Sequence, residues 1–352
     1  MKRITSFFLA VCLALPLFAQ GRGKVNIPDL KGYVTLKCDL HLHTVFSDGT
    51  VWPTVRIDEA YREGVDVISI TDHIEVLPHK ADVFGSHNRS YEIIKPAAES
   101  RGIILIKGSE ITRSMPPGHH NAIFITNSNE LDKPDYMNAF RAAKSQNAFF
   151  FWNHPRSAWM PEHTQLMQQG MLNGVEVANN RSYYPDAHRW CLDKKLTMIG
   201  NSDAHGPIPN FAPGQHRTMT LVFARSATLE AIREALNERR TAVYYDNYVI
   251  GEEKYLKELF ENALEWDVTK TDNGALITIR NKSDLTFRFR KNNSDARLMY
   301  LTNTLDPLTV NPKETQIIRV GFSDGIKGGD VNIIVENFLV QPSAGMAYTI
   351  KI

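Results

Sequence analysis

The chain has 352 residues, which exceeds the size at which a single hydrophobic core is usual, so its length predicts two domains. Lysine and arginine total 40 and aspartate and glutamate total 39, so no strong net field attracts nucleic acid or an anionic membrane surface. We therefore expect no nucleic-acid partner, whereas the oligomeric state stays open.

The first twenty residues have the layout of a secretory signal. Lys2 and Arg3 precede an apolar run that ends in small residues. The run is shorter than the roughly 20 apolar residues of a membrane-spanning helix and contains Pro16. Cys12 lies too early in the run to favour a lipoprotein. We predict that residues 1–20 are a signal peptide, and that the mature chain is periplasmic or secreted and has no transmembrane segment.

Two cysteines, Cys38 and Cys191, follow the predicted signal. This number is too small for a disulfide-stapled scaffold, so the fold must rest on its core. Both residues lie in apolar surroundings, which favours two buried free thiols over a bridge between them.

Residues 30–249 alternate short β-branched runs with helical patterns, which is typical of βα units. Seven candidate strands read YVTLKCDL, VDVISI, GIILIKG, NAIFIT, AFFFWNH, GVEVAN and LTMIGNSD. Amphipathic segments such as WPTVRIDEAYREG, PDYMNAFRAAKSQ and ATLEAIREALNERR accompany them. Seven strands with intervening helices fit a closed or nearly closed parallel barrel better than an open sheet. Periodicity alone leaves closure open.

The pattern changes in residues 250–352. A helical segment, EKYLKELFENAL, leads into alternating runs such as GALITIRN, LTFRFRKN, TQIIRVGF and DVNIIVEN. Asn-Gly, Asp-Pro, Asn-Pro and Gly-Gly turn signals separate these runs. This pattern predicts a small antiparallel β domain, most simply a sandwich, packed against the first domain.

Metal-capable side chains stand at the carboxyl ends of the predicted strands, where a parallel barrel presents its active site. A lone buried histidine is usually a satisfied core residue. That explanation would have to hold independently for six strand ends, which argues for metal binding. The side chains in question are His41, His43, Asp48, Asp72, His73, Glu110, His119, His120, His154, Asp203 and His205.

Spacing indicates how these groups share ions. Residues two apart in an extended segment point the same way, so His41 and His43 can reach one ion, and Asp203 and His205 repeat the pattern. Imidazole and carboxylate suit zinc, manganese or iron, and so many ligands exceed the need of one tetrahedral ion. We predict two or three divalent ions, with Glu110 as the bridging carboxylate.

Other polar residues receive plainer interpretations. The histidines in loops or on helices are expected at the surface, and these are His79, His87, His163, His188 and His216. Asp39 and Asp72 flank candidate ligands, so we expect them to orient imidazoles from behind the ligands. Cys38 is expected in the core.

The motifs DLHLHTVFSDGT, ISITDH, GSEIT, GHHN, NHP and NSDAH resemble, in order and spacing, the metal motifs of the polymerase-and-histidinol-phosphatase (PHP) family. The resemblance spans about Leu36 to Asn247 and leaves out the C-terminal domain. It implies a distorted, TIM-like (β/α)₇ barrel with a trinuclear metal site.

The resemblance also implies a partition of the ligands. The first ion would take His41, His43, Glu110 and Asp203; the second would take Glu110, His119 and His154; the third would take Asp48, His73 and His205. His119 is chosen over His120 from the family's Gly-His-x-Asn pattern. Many relatives have histidine where this chain has Asp48.

Clustered divalent ions can activate a water molecule and polarise a phosphoryl oxygen, so no side-chain nucleophile is needed. Glu110, Asp203 and His205 are the predicted catalytic groups at this centre. A phosphate charge would also favour an arginine clamp. Arg181, in NNRSYY, and Arg217, in GQHRTMTLVFA, are the candidates, with surface positions as the alternative.

The sequence therefore predicts an exported metal-dependent hydrolase of a small phosphate ester. A metal-dependent amide or carbamate hydrolase on the same fold is the first alternative, because some relatives resemble such enzymes. The second is a non-catalytic glycan- or surface-binding protein that keeps the barrel as a scaffold.

Overall fold

The structure is a computed structural model that describes residues 21–83, 85–212, 214–292, 298–302, 305–323 and 328–352. The predicted signal peptide, residues 1–20 with Cys12, lies outside the described residues, so export stays a prediction. Within the described ranges, no helix is long and apolar enough to cross a membrane.

The first domain alternates strands and helices, and each of the seven sequence-predicted strands is present. Its strands are β1 (Val34–Leu42), β2 (Val67–Ile70), β3 (Ile104–Ile111), β4 (His120–Ile123), β5 (Phe149–Trp152), β6 (Gly174–Asn179), β7 (Ser182–Tyr183), β8 (Thr197–Asn201), β9 (Met219–Ala224), β10 (Thr241–Tyr245) and β11 (Tyr248–Gly251). Its helices are α1 (Pro53–Glu63), α2 (Lys80–Val83), α3 (Arg89–Arg101), α4 (Tyr136–Ser145), α5 (Pro161–Gln168), α6 (Pro185–Lys194) and α7 (Leu229–Asn237).

These strands form a mixed sheet, and the strand order does not confirm the predicted closed barrel. The order runs β11-β10-β9-β1-β2-β3-β4-β5-β6, with β8 beside β6. Pairs β1–β2, β2–β3, β5–β6 and β6–β8 are parallel, whereas β4 is antiparallel to both β3 and β5. No helix separates β3 from β4 in the described chain, and this loop reverses the strand direction. Beyond β8, a bridge between Leu42 and Ala204 joins the segment after β8 to β1.

The strands of the first domain are apolar because both of their faces are buried, as is typical of parallel sheets. Phe149 and Phe151 of β5 pack with Cys38 and other residues of β1. Phe150 and Trp152 point the opposite way, into a cluster that includes α4, α5 and α6 residues. Cys38 and Cys191 are both buried free thiols, so the prediction of no bridge is confirmed.

The second domain begins after helix α8 (Glu253–Ala263) and consists of two facing sheets. Its strands are β12 (Leu264–Thr271), β13 (Gly274–Asn281), β14 (Phe287–Lys291), β15 (Leu298–Thr302), β16 (Leu308–Val310), β17 (Thr315–Phe322), β18 (Asp330–Gln341) and β19 (Ala344–Lys351). One sheet has the order β12-β13-β17-β15, and the other contains β16-β14-β18 with β19 beside β18. Side chains of both sheets, such as Ile277 and Phe289, share one core. The predicted antiparallel β domain is therefore present.

The two domains share a sheet and a core. Strand β11 pairs in parallel with β18, where Val249 stands opposite Phe338. Phe223 of the first domain and Phe338 of the second belong to the same apolar cluster. Near the start of the described chain, the Asn26 backbone N–H donates to the Asp284 carboxylate at 2.7 Å. The domains are therefore joined by backbone pairing as well as by side-chain packing.

Two histidines predicted at the surface are buried instead. His188 lies on the inner face of α6, where its Nδ1 is 2.9 Å from the Tyr183 hydroxyl. The ring of His163 stacks on Trp152 at 3.8 Å, and its Nε2 lies 2.9 Å from the Pro117 carbonyl oxygen. Helical position alone does not reveal which face of a short helix is buried.

Acid is expected to destabilise the fold through His188. Burial lowers the pKa of His188 from 6.5 to about 4, so the unfolded chain binds more protons between these values. The contribution of the neutral His188 to the stability of the fold is complete above pH 6.5 and is lost as the pH falls toward 4. The free energy of unfolding should fall over this pH range, and we expect His188 to cause at most about 3 kcal/mol of that fall. Denaturation of H188Q between pH 7 and pH 4 should show a shallower loss.

The matched control is H79Q, because His79 is exposed. It should keep the pH dependence of the original chain. Equal slopes for H188Q and H79Q would contradict the assignment to His188.

Candidate metal centre

Strand β1 delivers two imidazoles to one point. His41 and His43 lie on the same face of the strand and are fully buried. The His41 Nε2 atom is 3.0 Å from Glu110 Oε2 and 3.2 Å from Asp203 Oδ1. The His43 Nε2 atom is 3.2 Å and 3.1 Å from the same two oxygens. Ligands about 2.1 Å from one tetrahedral ion stand about 3.4 Å apart, so this spacing fits a shared ion.

A tight turn after β1 brings Asp48 to a second group of imidazoles. A side chain at Gly49 would meet the Thr44 nitrogen at 2.6 Å, so the turn requires glycine there. Asp48 Oδ1 lies 3.4 Å from His73 Nε2 and 3.2 Å from His205 Nε2. The "SDG" triplet is thus the connection that presents this carboxylate.

The two adjacent histidines at the start of β4 point in different directions. His119 Nδ1 lies 2.8 Å from Glu110 Oε1 and therefore faces the centre. His120 packs between Phe140 and Trp152, with ring centroids 5.1 and 6.4 Å away. Burial is the largest influence on its pKa and lowers it to about 3, as expected for a neutral core imidazole.

His154 stands at the edge of the same cluster. Its Nε2 is 4.0 Å from Asp203 Oδ2, and its ring centroid is 5.0 Å from that of His119. Both His154 and Asp203 have left-handed backbone, with φ of 31° and 51°. Such conformations are uncommon outside glycine and must be held by their surroundings.

The structure thus brings the predicted ligands into three overlapping groups. Ligand atoms within 4.8 Å of one another occur in the sets His43, Asp48, His73 and His205; His41, His43 and Glu110; and His73, Glu110 and His119. Glu110 contributes to two sets through different contacts, as a bridging carboxylate would.

Unsatisfied atoms give an independent test of whether ions fit. Buried polar groups normally have hydrogen-bond partners. Five buried atoms of this cluster nevertheless make no hydrogen bond to the residues that the structure describes, and they are His43 Nε2, Asp48 Oδ1, Glu110 Oε1, His119 Nδ1 and Asp203 Oδ1. Nitrogen and oxygen donors of this kind suit divalent ions such as zinc, manganese or iron. The donor set therefore fits divalent metal.

Protons compete with metal ions for the imidazole nitrogens of this centre. Burial lowers the pKa of His41, but Asp203, Glu176 and Glu110 outweigh it and raise that pKa well above its usual value. Burial also lowers the pKa of His43, while the adjacent carboxylates of Asp203 and Glu110 raise it to about 9. Since an ion needs the neutral imidazole, metal binding should release protons here.

The two candidate arginines differ sharply. Arg181 is exposed and lines a cavity of about 360 Å³ that also includes Asp203 and His205. Arg217 is buried, and its guanidinium contacts Asp39 at 3.0 Å and Glu63 at 2.8 Å. Arg217 also lines this cavity, but its guanidinium already pairs with both carboxylates, so Arg181 is the more accessible candidate for a phosphate clamp.

The two flanking aspartates differ in their contacts. Asp39 accepts hydrogen bonds from the Ser202 hydroxyl and from Arg217, so it holds a loop rather than an imidazole. Asp72 accepts from Thr44 and from the Ser47 hydroxyl, which lies 3.3 Å from His43 Nδ1. Asp72 therefore reaches a ligand imidazole through Ser47.

A glutamate that the sequence analysis missed contacts the ligands directly. Glu176 is fully buried on β6, and its Oε1 lies 2.9 Å from His41 Nδ1. The signal was present, because a carboxylate in the otherwise apolar strand GVEVAN needs a buried partner.

Comparison with known proteins covers both domains. Residues 265–351 match a family model described as an Ig-like domain, DUF5001. A 5'-3' exoribonuclease of Haemophilus influenzae is 34% identical over 79 residues, which are 22% of this chain and 24% of that protein. The match thus spans about a quarter of that relative.

Solved structures extend the comparison to the whole chain. A metal-dependent phosphoesterase candidate from Bifidobacterium adolescentis aligns at 18% identity over 58% of this chain and 97% of that chain, with a TM-score of 0.42. A protein from Bacteroides vulgatus is 51% identical, covers 95% of this chain and 100% of its own, and superposes with a TM-score of 0.92. It is described as a two-domain protein containing a predicted PHP-like metal-dependent phosphoesterase. With this identity over almost the full length of both proteins, the chain belongs to the family of two-domain, PHP-like metal-dependent phosphoesterases, with an Ig-like C-terminal domain.

Proposed function

We propose that this protein is an exported phosphoesterase that uses two or three divalent ions to hydrolyse a small phosphate ester. The observation that carries the proposal is the convergence of the predicted ligands from separate strand ends, with five buried polar atoms left for ions. The Bacteroides vulgatus relative supports the reaction class, because it is described as containing a predicted metal-dependent phosphoesterase.

The first ion is assigned to His41, His43, Glu110 and Asp203, the second to Glu110, His119 and His154, and the third to Asp48, His73 and His205. When bound, such ions supply an activated water and polarise the phosphoryl group. Zinc, manganese and iron all suit these donors.

The chain itself provides bridging, access and charge. Glu110 presents Oε2 to the two β1 histidines and Oε1 to His119, so it can hold two ions at a fixed separation. His205, with 38% of its side chain exposed, is the most open of the imidazoles and marks the side from which substrate enters. The remaining ligands are buried or half-buried.

The cavity beside Asp203 and His205 is the proposed substrate site. Its volume of about 360 Å³ suits a small organic phosphate, and Phe211 offers an aromatic wall beside the exposed Arg181. Arg181 can donate hydrogen bonds to a phosphate oxygen.

Replacing Arg181 with Ala is expected to raise the KM for a phosphate ester about tenfold, because a hydrogen bond to a charged group is worth roughly 1.5–3 kcal/mol. The measurement is steady-state hydrolysis over a range of substrate concentrations. R189A is the matched control, because Arg189 is an exposed arginine on α6 that pairs with Asp186. Equal KM values for R181A and R189A would remove Arg181 from the substrate site.

Replacing Asp48 with Ala is expected to remove one ion and leave the ion at His41 and His43 in place. Asp48 shares its group with His43, His73 and His205, whereas His41 and Glu110 lie in another group, to which His43 also belongs. Metal content per chain, measured by mass spectrometry, should fall by one. The control is D58A, an exposed aspartate paired with Arg101. Loss of all metal in D48A would show that the partition is wrong.

The reaction is tested with the chain lacking residues 1–20, loaded separately with manganese, zinc or iron. We expect phosphate release from p-nitrophenyl phosphate or its bis-ester. No release across a broad ester panel would overturn the proposal. Amine release from an amide panel would instead favour the amidase alternative, and degradation of RNA would extend to this chain what the Haemophilus relative is named for.

Metal content also tests the non-catalytic alternative. Fewer than one ion per chain after reconstitution would favour a binding protein that retains the fold without the reaction.

Export is the part of the proposal that rests on the layout of residues 1–20. N-terminal sequencing of the chain from periplasmic and culture fractions should begin after the apolar run. Recovery of the intact N-terminus from the cytoplasm would contradict export.

A further inference from the structure

Glu176 places a carboxylate in the protein interior, where burial of a charge is costly and no substrate can reach it. Its carboxylate is fully buried in the centre of β6. A buried charge persists only when it is well paired and hydrogen-bonded. Its partners therefore indicate what it does.

Three of the four partners of Glu176 are hydrogen-bond donors, and the fourth is the His41 imidazole. Oε1 lies 2.9 Å from His41 Nδ1 and accepts from Asn201 Nδ2 at 2.8 Å. Oε2 accepts from the His154 backbone nitrogen and from Asn179 Nδ2, each at 2.7 Å. Each oxygen thus accepts at least one hydrogen bond from an amide donor, which is the pattern of an ionised carboxylate.

The contact with His41 fixes which ring nitrogen is free. A carboxylate only accepts, so His41 Nδ1 must carry the hydrogen, and the Nε2 lone pair is left for an ion. Nε2 is the atom that faces Glu110 and Asp203. Glu176 therefore orients the imidazole as well as selecting its tautomer.

The second oxygen reaches two more ligands. Its bond to the His154 backbone holds a residue whose φ of 31° is unfavourable for a non-glycine residue. Asn179, held by the same oxygen, also lies 3.2 Å from Asp203 Oδ2. One carboxylate thus connects the ligands assigned to the first and the second ion.

We propose that Glu176 is a positioning residue that sets the metal affinity of the centre by fixing His41, His154 and Asp203 together. The inference rests on the metal centre of the proposed function. It is independent of which ester is hydrolysed.

The test compares zinc affinity, measured by competition with a chelator, in the mature chain and in E176Q. An amide has one donor end, so Gln must direct its NH₂ group at His41 and Asn201 or at His154 and Asn179, all of which donate. We expect zinc to bind about 10–100-fold more weakly. In ¹⁵N spectra of the zinc-loaded chain, the His41 Nδ1–H signal should also be lost or shifted.

D39N is the matched control, because Asp39 is an equally buried carboxylate that contacts Ser202 and Arg217 but no ligand imidazole. It should bind zinc within about threefold of the original chain, once the unfolding of both metal-free proteins has been compared in chelator. Native zinc affinity in E176Q, or an equal loss in D39N, would overturn the proposal.

E176D covers the case in which E176Q does not fold. It keeps the charge but withdraws the carboxylate from His41, so weakened zinc binding with a folded metal-free chain supports positioning, and native affinity overturns it. A failed ester screen with a clear Glu176 effect on zinc would reject only the proposed function.

Discussion

Replacement of Glu110 with Gln is expected to reduce phosphate-ester hydrolysis by about 10³-fold and to lower the metal content by at least one ion per chain. The expected loss corresponds to roughly 4 kcal/mol of transition-state stabilisation, as a lost bridging charge would cause. Glu110 Oε2 lies within 3.3 Å of the imidazoles of His41, His43 and His73, and Glu110 Oε1 lies 2.8 Å from the imidazole of His119. An amide group cannot carry the negative charge between two ions.

Steady-state kinetics and metal analysis on the same preparation would measure both effects. E92Q is the matched control, because Glu92 is a half-exposed glutamate on α3 that pairs with Arg89. It should keep native activity and metal content. Full metal content together with native turnover in E110Q would show that Glu110 is not a bridge.

Arg217→Ala is expected to destabilise the fold by about 3–5 kcal/mol, because it leaves the fully buried Asp39 carboxylate without its cation and removes one of the two arginines that pair with Glu63. Burial opposes the charge on Arg217, but Glu63 and Asp39 raise its pKa above the usual value. Asp39 lies on β1 and Glu63 ends α1, so the guanidinium ties the loop before β9 to both elements. Chemical denaturation gives the change in unfolding free energy.

R181A is the natural comparison, because it removes an exposed arginine from the same region. We expect R181A to change the unfolding free energy by less than about 0.5 kcal/mol while raising KM. The folded fraction of R217A should keep a native KM. A raised KM in R217A with unchanged stability would favour Arg217 as the phosphate clamp.

These two arginines show where sequence reasoning ends. Both stand beside polar residues near the last metal motif. The local sequence therefore does not distinguish a guanidinium in solvent from one that pairs with two carboxylates in the interior. The partners of Arg217 are far away in the chain, at Asp39 and Glu63. Only the tertiary fold brings them together.

The strands and the clustered ligands could be predicted from the sequence for a physical reason. Buried strands are continuous apolar runs, and polar groups at their ends stand out against that background. Strand direction could not be predicted from the sequence, because an apolar run such as NAIF has the same pattern whether it is parallel or antiparallel to its neighbour. Strand β4 is antiparallel, and barrel closure was not confirmed by the strand order.

Glu176 was missed for a related reason. Metal ligands are expected at the ends of strands, whereas Glu176 lies within a strand. Buried charges in strand interiors are rare enough that each one needs an explanation. Here the explanation is a histidine on another strand.

The pairing of β11 with β18 makes the folding unit larger than the catalytic unit. The Ig-like domain contributes Phe338 and neighbouring residues to the core that covers Phe223 and Leu259. Cutting the chain between the domains would expose an apolar face together with an unpaired strand edge, a combination that promotes aggregation. The C-terminal domain is therefore part of the cooperative structure on which the metal centre depends, and not a detachable appendage.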